Sequence, residues 1–178
     1  MTELRIAHTA DLDPAVLNVA RTLLDDVFVD DPLTESDWEH CLGGMHALLW
    51  DGAELIGHAS VVQRRLLHEG RAMRAGYVEG VGVHAGHRRR GHGGTLMAAL
   101  ERIIRGGYDL GALGSSDQAL AFYAGRGWRL WTGPTSALTP AGIVRTEDAD
   151  DCIHVLPGVY PLTLTGALTC DWRDGDVW

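Results

Sequence analysis

Hydrophobic positions change their period several times along the chain, and each change marks an element. Residues 77–83 alternate large side chains (Tyr77, Val81, Val83) with small or polar ones, the period of two that a strand shows. Beyond an arginine- and glycine-rich stretch, Leu96, Met97, Leu100, Ile103 and Ile104 repeat along one helical face, so this region predicts a strand, a turn and a helix start. Upstream, Asp13 followed by Pro14 is an N-cap with proline at the first helical position, and Leu17, Ala20, Leu24 and Val27 then share a face. These signals predict a helix of about four turns ending near Phe28. Thr34 or Ser36 caps a second, short helix that contains Trp38.

The remaining segments read as extended. Residues 5–7 form a short first strand, and residues 45–50 and 54–65 form a hairpin around Asp51-Gly52. Glu69-Gly70 marks a turn before a strand at 73–83. After the central helix come a strand at 108–113 and a helix through Leu120 and Tyr123, capped by Ser116 or Asp117 and stopped at Gly125 or Gly127. Residues 128–131 are extended, Pro134, Pro140 and Gly142 mark a looped excursion, and strands at 153–156 and about 162–170 follow. With neither repeat nor linker, this order predicts one α+β domain over residues 1–178: a mixed, mostly antiparallel central sheet flanked by helices, with a single βα crossing at residues 77–104.

Composition narrows the class. The chain has 178 residues, 46% hydrophobic and 22% charged, enough for one ordinary globular core. No apolar run approaches the ~18 residues of a membrane span, and Glu3 and Arg5 leave no leader-like N-terminus, so a cytoplasmic protein without a membrane partner is predicted. Cys41, Cys152 and Cys170 form an odd set without metal-like spacing, and the histidines contain no His-x-x-x-His pair with a supporting carboxylate, so no metal is predicted. The net charge of −9 gathers in three groups: Asp25 to Glu39, including Asp31 and Asp37; Glu147, Asp148, Asp150 and Asp151; and Asp171, Asp174 and Asp176. Such runs serve as solvated faces or as attractors of a small cationic substrate, and they disfavour nucleic acid, whose phosphates they repel.

The basic exception is Arg88-Arg89-Arg90-Gly91-His92-Gly93-Gly94. Glycines allow close approach of the backbone, and a helix N-terminus adds about half a positive charge, so a diphosphate is the natural ligand. A nucleoside-triphosphate loop needs a lysine, and the chain has none; a dinucleotide fingerprint needs glycine where Leu96 stands. The remaining pattern, Arg88-x-x-Gly91-x-Gly93 after Val81 and Val83, resembles the acetyl-CoA-binding motif of the GCN5-related N-acetyltransferase (GNAT) superfamily.

Five further strings carry a narrower resemblance: Asp37-Trp38-Glu39-His40, Leu42-Gly43-Gly44-Met45-His46-Ala47, Gly76-Tyr77-Val78-Glu79-Gly80-Val81, Gly133-Pro134-Thr135-Ser136, and residues 170–178 from Cys170 to Trp178. Together, over nearly the whole chain, they resemble the actinobacterial aminoglycoside 2′-N-acetyltransferases. That resemblance implies a GNAT fold, direct acetyl transfer from acetyl-CoA to the 2′-amino group of a cationic antibiotic, antibiotic resistance, and a homodimer. It implies Glu79 as base, probing the amine through water, and Tyr123 as acid toward the departing thiolate, with a salt-bridged carboxylate and a core tyrosine as the plainer alternatives. Val81, Val83, Arg88, Arg89, Arg90, Gly91, His92, Gly93 and Gly94 would hold the cofactor. Asp31, Asp37, Glu79, Gly80, Ser115, Asp148, Asp150, Asp176 and Trp178 would face the antibiotic. Two departures bear on substrate range: Gly114 precedes Ser115 where serine is common, and Ala149 interrupts the second acidic group. Acetylation of another small cationic amine, or a non-catalytic binding module, stays open at this level.

Overall fold

Local capping signals decide where the first helices begin. In the computed structural model, which describes residues 1–115 and 119–178, β1 spans Thr2–His8, longer than the three residues expected. Asp13 then accepts a hydrogen bond from Ala15 N at 2.8 Å, with Pro14 opening α1 (Pro14–Val27). Thr34, not Ser36, caps α2 (Glu35–His40), in a reciprocal box with Asp37. The β2 strand (Met45–Asp51) pairs antiparallel with β1 and with β3 (Glu54–His68). Their two-residue loop places Gly52 first, at φ 61°, a left-handed conformation that glycine adopts without steric cost. Glu69 and Gly70, both at positive φ, make the next two-residue turn into β4 (Arg71–Val83), as a hairpin twisting with its strands requires. The α3 helix (His92–Gly107) follows.

Two units divide these contacts: Met1–Val62 with Val78–Ile103, and Gln63–Tyr77 with Ile104–Trp178. In the first, Ala20, Leu23 and Leu24 of α1 pack with Leu12, Trp38, Cys41, Leu48 and Leu55. Glycines set the closest approaches. A Cβ on Gly82 would stand 2.9 Å from Leu24, and one on Gly57 would stand 3.0 Å from Leu96, so α1 and α3 lie directly on strand backbone.

At Glu79 and Gly80 the β4 backbone leaves regular strand geometry. Gly80 has φ 55°, and a Cβ there would meet Cys41 Sγ at 2.7 Å, so only glycine fits. The carbonyls at this kink are met by β3 side chains: Ser60 Oγ donates to Glu79 O at 3.4 Å and His58 Nδ1 to Gly80 O at 2.7 Å. Because a carbonyl only accepts, Nδ1 of His58 carries the proton and Nε2 of the neutral ring accepts. His46 Nδ1 therefore donates to His58 Nε2 at 2.9 Å, and the Thr9 hydroxyl donates to His46 Nε2 at 2.8 Å. Every bond in this chain points the same way, from Thr9 to Gly80. Both rings are fully buried. Burial, followed by the neighbouring His58 and His8, pushes His46 down to about 3. Burial also pushes His58 down to about 4 against the opposing effect of the Gly80 carbonyl.

In the second unit, β5 (Leu110–Gly114) runs parallel to β4 through Ala75↔Leu110, the crossing the sequence predicts. The cap expected at Ser116 or Asp117 lies outside the described residues; α4 (Leu120–Ala124) has Ala119 at its N-cap, without a side-chain cap bond. Next come β6 (Arg129–Leu130), β7 (Thr135–Thr139), β8 (Gly142–Arg145), β9 (Ile153–Leu156) and β10 (Leu168–Cys170). The expected looped excursion is instead the β7–β8 hairpin: Pro134 and Pro140 stand outside both strands, where proline removes no ladder bond. The last strand is three residues rather than nine, pairing antiparallel with β3 and parallel with β7. Pairing is mostly antiparallel and the class is α+β. Among the described residues no helix is long and apolar enough to cross a membrane.

Arg64, 4% exposed, anchors this unit. Its Nε donates to Asp171 Oδ1 and its Nη2 to Asp171 O, both at 2.8 Å, while Arg65 N donates to Asp171 Oδ2 at 2.9 Å. The guanidinium also lies over the Tyr77 ring at 4.9 Å, and Arg173 lies over the same ring at 5.4 Å.

Two outcomes are expected. Arg64→Ala strands the Asp171 carboxylate and lowers unfolding free energy by about 2–4 kcal/mol in urea melts; an unchanged midpoint would refute the anchor. For the histidine pair, the unfolded chain takes up protons near pH 6.5 and the native rings do not until far lower, so stability is full above that pH and falls as pH drops through the window. Between about pH 6.5 and 5, before carboxylates titrate, the loss is about 2–3 kcal/mol for the two rings. His58→Leu should remove about half of that slope.

Candidate active site

The arginine- and glycine-rich turn in the first unit is assembled from positive-φ residues and orphan donors. Arg89 at φ 60° and Gly91 at φ 85° reverse the chain between β4 and α3. The first helical bond of α3 runs from Thr95 N to Gly91 O at 3.0 Å, which leaves the N–H groups of His92, Gly93 and Gly94 ahead of the intrahelical ladder. These three donors point along the helix axis toward any anion at its positive end. Arg88, Arg89 and Arg90 are exposed around them. Arg88 is partly committed, because its Nε donates to Val83 O at 3.1 Å, whereas Arg89 and Arg90 have no acidic partner among the described residues. Donor chemistry and net positive charge both fit a diphosphate.

Glu79 and Val81 flank the Gly80 kink and are half-buried. Since His58 and Ser60 hold the two preceding carbonyls, the Gly80–Val81 peptide is fixed from its carbonyl side. Asp31 lies on an exposed loop before α2. Asp37 has a structural duty as well: its Oδ2 accepts both Thr34 N and Thr34 Oγ1 at 2.8 Å.

In the second unit, Tyr123 is 6% exposed on α4. Its ring packs edge-on to Trp128 at 6.1 Å and tilts against His154 at 5.9 Å. Burial pushes its phenol up to about 12, slightly opposed by Arg126, so it is a neutral proton carrier at pH 7. Ser115 sits just past β5 with its Oγ 3.2 Å from His154 Nδ1, and burial lowers the pKa of that imidazole.

The acidic candidates separate into two kinds. Asp150 is saturated: Arg145 Nη1 and Nη2 donate to it at 3.1 and 2.6 Å, and Thr135 N and Oγ1 at 2.9 and 2.8 Å. The Arg145 guanidinium, helped by the Thr135 donors, holds its carboxyl well below the usual carboxylate range. Asp150 is therefore a strut between β7 and the loop rather than a loose surface charge. Asp148, in the 3₁₀ turn Glu147–Ala149, is exposed. The tail is docked: Trp178 is buried, its indole Nε1 donates to Thr146 Oγ1 at 2.7 Å, its N donates to Asp176 Oδ1 at 3.0 Å, and Arg173 donates to the backbone oxygens of Asp176 and Trp178.

Three residues with clear structural leverage on these groups escaped the sequence reading: His46, His58 and Arg64. For the two histidines the signal was available, since each is a polar side chain inside an otherwise apolar run, where burial demands a partner; Arg64 stands between the exposed Gln63 and Arg65, and nothing local singles it out.

Residues 12–131 match the family described as "Acetyltransferase (GNAT) domain". The aminoglycoside 2′-N-acetyltransferase of Mycolicibacterium fortuitum is 48% identical over 98% of this chain and 91% of its own. Among solved structures, an acyl-CoA N-acyltransferase from Pseudomonas aeruginosa superposes with TM-score 0.63 at 18% identity, covering 88% of this chain and 99% of its own. Eis1 from Mycobacterium abscessus gives TM-score 0.62 at 24% identity over 76% of this chain, which spans only 33% of that longer protein. These two share the fold; the family match and the Mycolicibacterium relative go further, and the chain belongs to the GNAT acetyltransferases, in the group of the aminoglycoside 2′-N-acetyltransferases.

Proposed function

We propose that this protein transfers the acetyl group of acetyl-CoA to the 2′-amino group of aminoglycosides, a reaction that confers resistance by altering the drug. The observation that carries the reading is the 48% identity across 98% of the chain to an aminoglycoside 2′-N-acetyltransferase. The site chemistry agrees with it. GNAT acetyltransferases use acetyl-CoA, which brings the acetyl thioester; Arg89, Arg90 and the leading N–H groups of α3 hold its pyrophosphate. The exposed carboxylates Asp31 and Asp148 draw in a polycationic acceptor, and Asp37 contributes charge beyond its capping bonds.

The bound antibiotic arrives as an ammonium, which has no lone pair. Glu79 removes one proton, through a water, and the freed amine attacks the thioester carbonyl. The Val81 N–H, aimed by the fixed Gly80 carbonyl, donates to the carbonyl oxygen as negative charge develops there. As the C–N bond forms and the C–S bond breaks, Tyr123 gives its proton to the departing sulfur, and the proton lost by nitrogen reprotonates the phenolate through solvent. Transfer is direct, with no acetyl-enzyme.

Coenzyme A release tests the reading. Turnover is expected with an aminoglycoside bearing a 2′-amino group and not with a matched one bearing a 2′-hydroxyl; turnover of both relocates the acetylated amine, and turnover of neither refutes the assignment. Glu79→Gln should lower kcat by about 10²–10⁴-fold with little change in acetyl-CoA binding. Tyr123→Phe should lower kcat with little change in acetyl-CoA binding. Full activity in either variant would remove that residue from its role.

A further inference from the structure

The sequence offered no metal centre by spacing, yet the fold brings three ligand-bearing side chains of the first unit together. Glu54 is the first residue of β3, and His84 directly follows the last residue of β4. The backbone fixes their proximity: His84 N donates to Ile56 O at 2.9 Å, two residues from Glu54. One 3₁₀ turn, Ala85–His87, closed by His87 N to His84 O at 2.8 Å, returns His87 to the same place, with the two imidazole centroids 5.9 Å apart. One ligand atom from each of Glu54, His84 and His87 lies within 4.8 Å of the others.

Further observations separate this cluster from an ordinary polar surface. His84 Nδ1 is buried and has no hydrogen-bond partner among the described residues, a costly state for a ring nitrogen. Both imidazoles are half-buried while Glu54 is exposed, so the nitrogens are held in place and the carboxylate is free to swing. Neither histidine takes part in the proposed acetyl transfer.

We propose that Glu54, His84 and His87 form a binding site for a divalent transition metal of the zinc class. Two imidazole nitrogens and one carboxylate oxygen suit zinc and its neighbours, and they do not suit magnesium or calcium, which favour oxygen ligands throughout. Tetrahedral zinc holds its ligand atoms about 3.4 Å apart, given bond lengths of about 2.0–2.1 Å. Side-chain rotation of the exposed Glu54 contributes to the required closure, and a water fills the fourth position. The bound ion clips the start of β3 to the turn that leads directly into Arg88–Arg90, so its occupancy stiffens the segment carrying the phosphate donors.

The test measures metal binding directly and does not depend on acetyl transfer. Metal-free protein is titrated calorimetrically with Zn²⁺, and separately with Mg²⁺, in a non-coordinating buffer. The expected result is one equivalent of Zn²⁺ and no Mg²⁺, with His87→Ala and Glu54→Gln each weakening Zn²⁺ binding by about tenfold or more. Glu54 is exposed and His87 half-buried, and circular dichroism checks that the variants stay folded. Zn²⁺ should also slow amide hydrogen exchange over residues 84–92 in the parent and not in His87→Ala. Absence of Zn²⁺ uptake, or uptake that both variants retain in full, would overturn the site, as would unchanged exchange on saturation.

Discussion

The hydrogen bond from His58 to the Gly80 carbonyl is the constraint on which the kink in β4 depends. A strand can leave its ladder only where the freed polar groups find other partners, because a buried orphan carbonyl costs as much as a lost hydrogen bond. Here β3 supplies those partners from its side chains: Ser60 takes the Glu79 carbonyl and His58 the Gly80 carbonyl. The conformation excludes a side chain at position 80, where Cys41 and Leu24 already fill the space. In return the chain buries two imidazoles that must remain neutral. What the kink gives the proposed chemistry is a peptide oriented by β3 side chains.

Electrostatics divides along the same line between groups consumed by structure and groups left for a ligand. Asp150 and Asp171 are each bound by an arginine and by backbone donors, and Asp37 closes a helix cap. Asp31 and Asp148 carry their charge at the surface. The same split holds among the arginines: Arg64 is buried in a clamp, Arg88 is half-engaged with Val83, and Arg89 and Arg90 are open around the α3 N-terminus. Net charge therefore overstates the acidic surface available to a cation, and the exposed subset is what a polyamine would meet.

Much of the fold was legible because its signals are local. Asp13-Pro14, the Asp51-Gly52 and Glu69-Gly70 turns, and the change of period at residues 84–96 each determine an element by backbone chemistry alone, and all appear in place. The β7–β8 hairpin was not legible: flanking prolines read as loop, and β8 has no buried face to announce it, since Gly142 to Arg145 are all exposed. The site was legible in its glycines and arginines for the same local reason, whereas the commitments of Asp150 to Arg145 and Thr135, and of His58 to Gly80, depend on strands distant in sequence. No spacing rule for carboxylates separates a strut from a surface charge, because the difference lies in which partner arrives from elsewhere.

The histidine chain has a further consequence for folding. His46 stands opposite Ser60 and His58 opposite Leu48 in the β2–β3 register, so the two rings meet only as diagonal neighbours on one face. A slip of two residues would keep every side chain on its own face of two strands that are buried almost continuously here, and hydrophobic patterning alone would barely oppose it. In the direction that would set His46 opposite Val62, it would part the rings and cost the two buried imidazoles the hydrogen bond between them. The pair thus works as a key against one direction of strand slippage, making one of the two nearest misfolded pairings of β2 and β3 costly before any ligand is present.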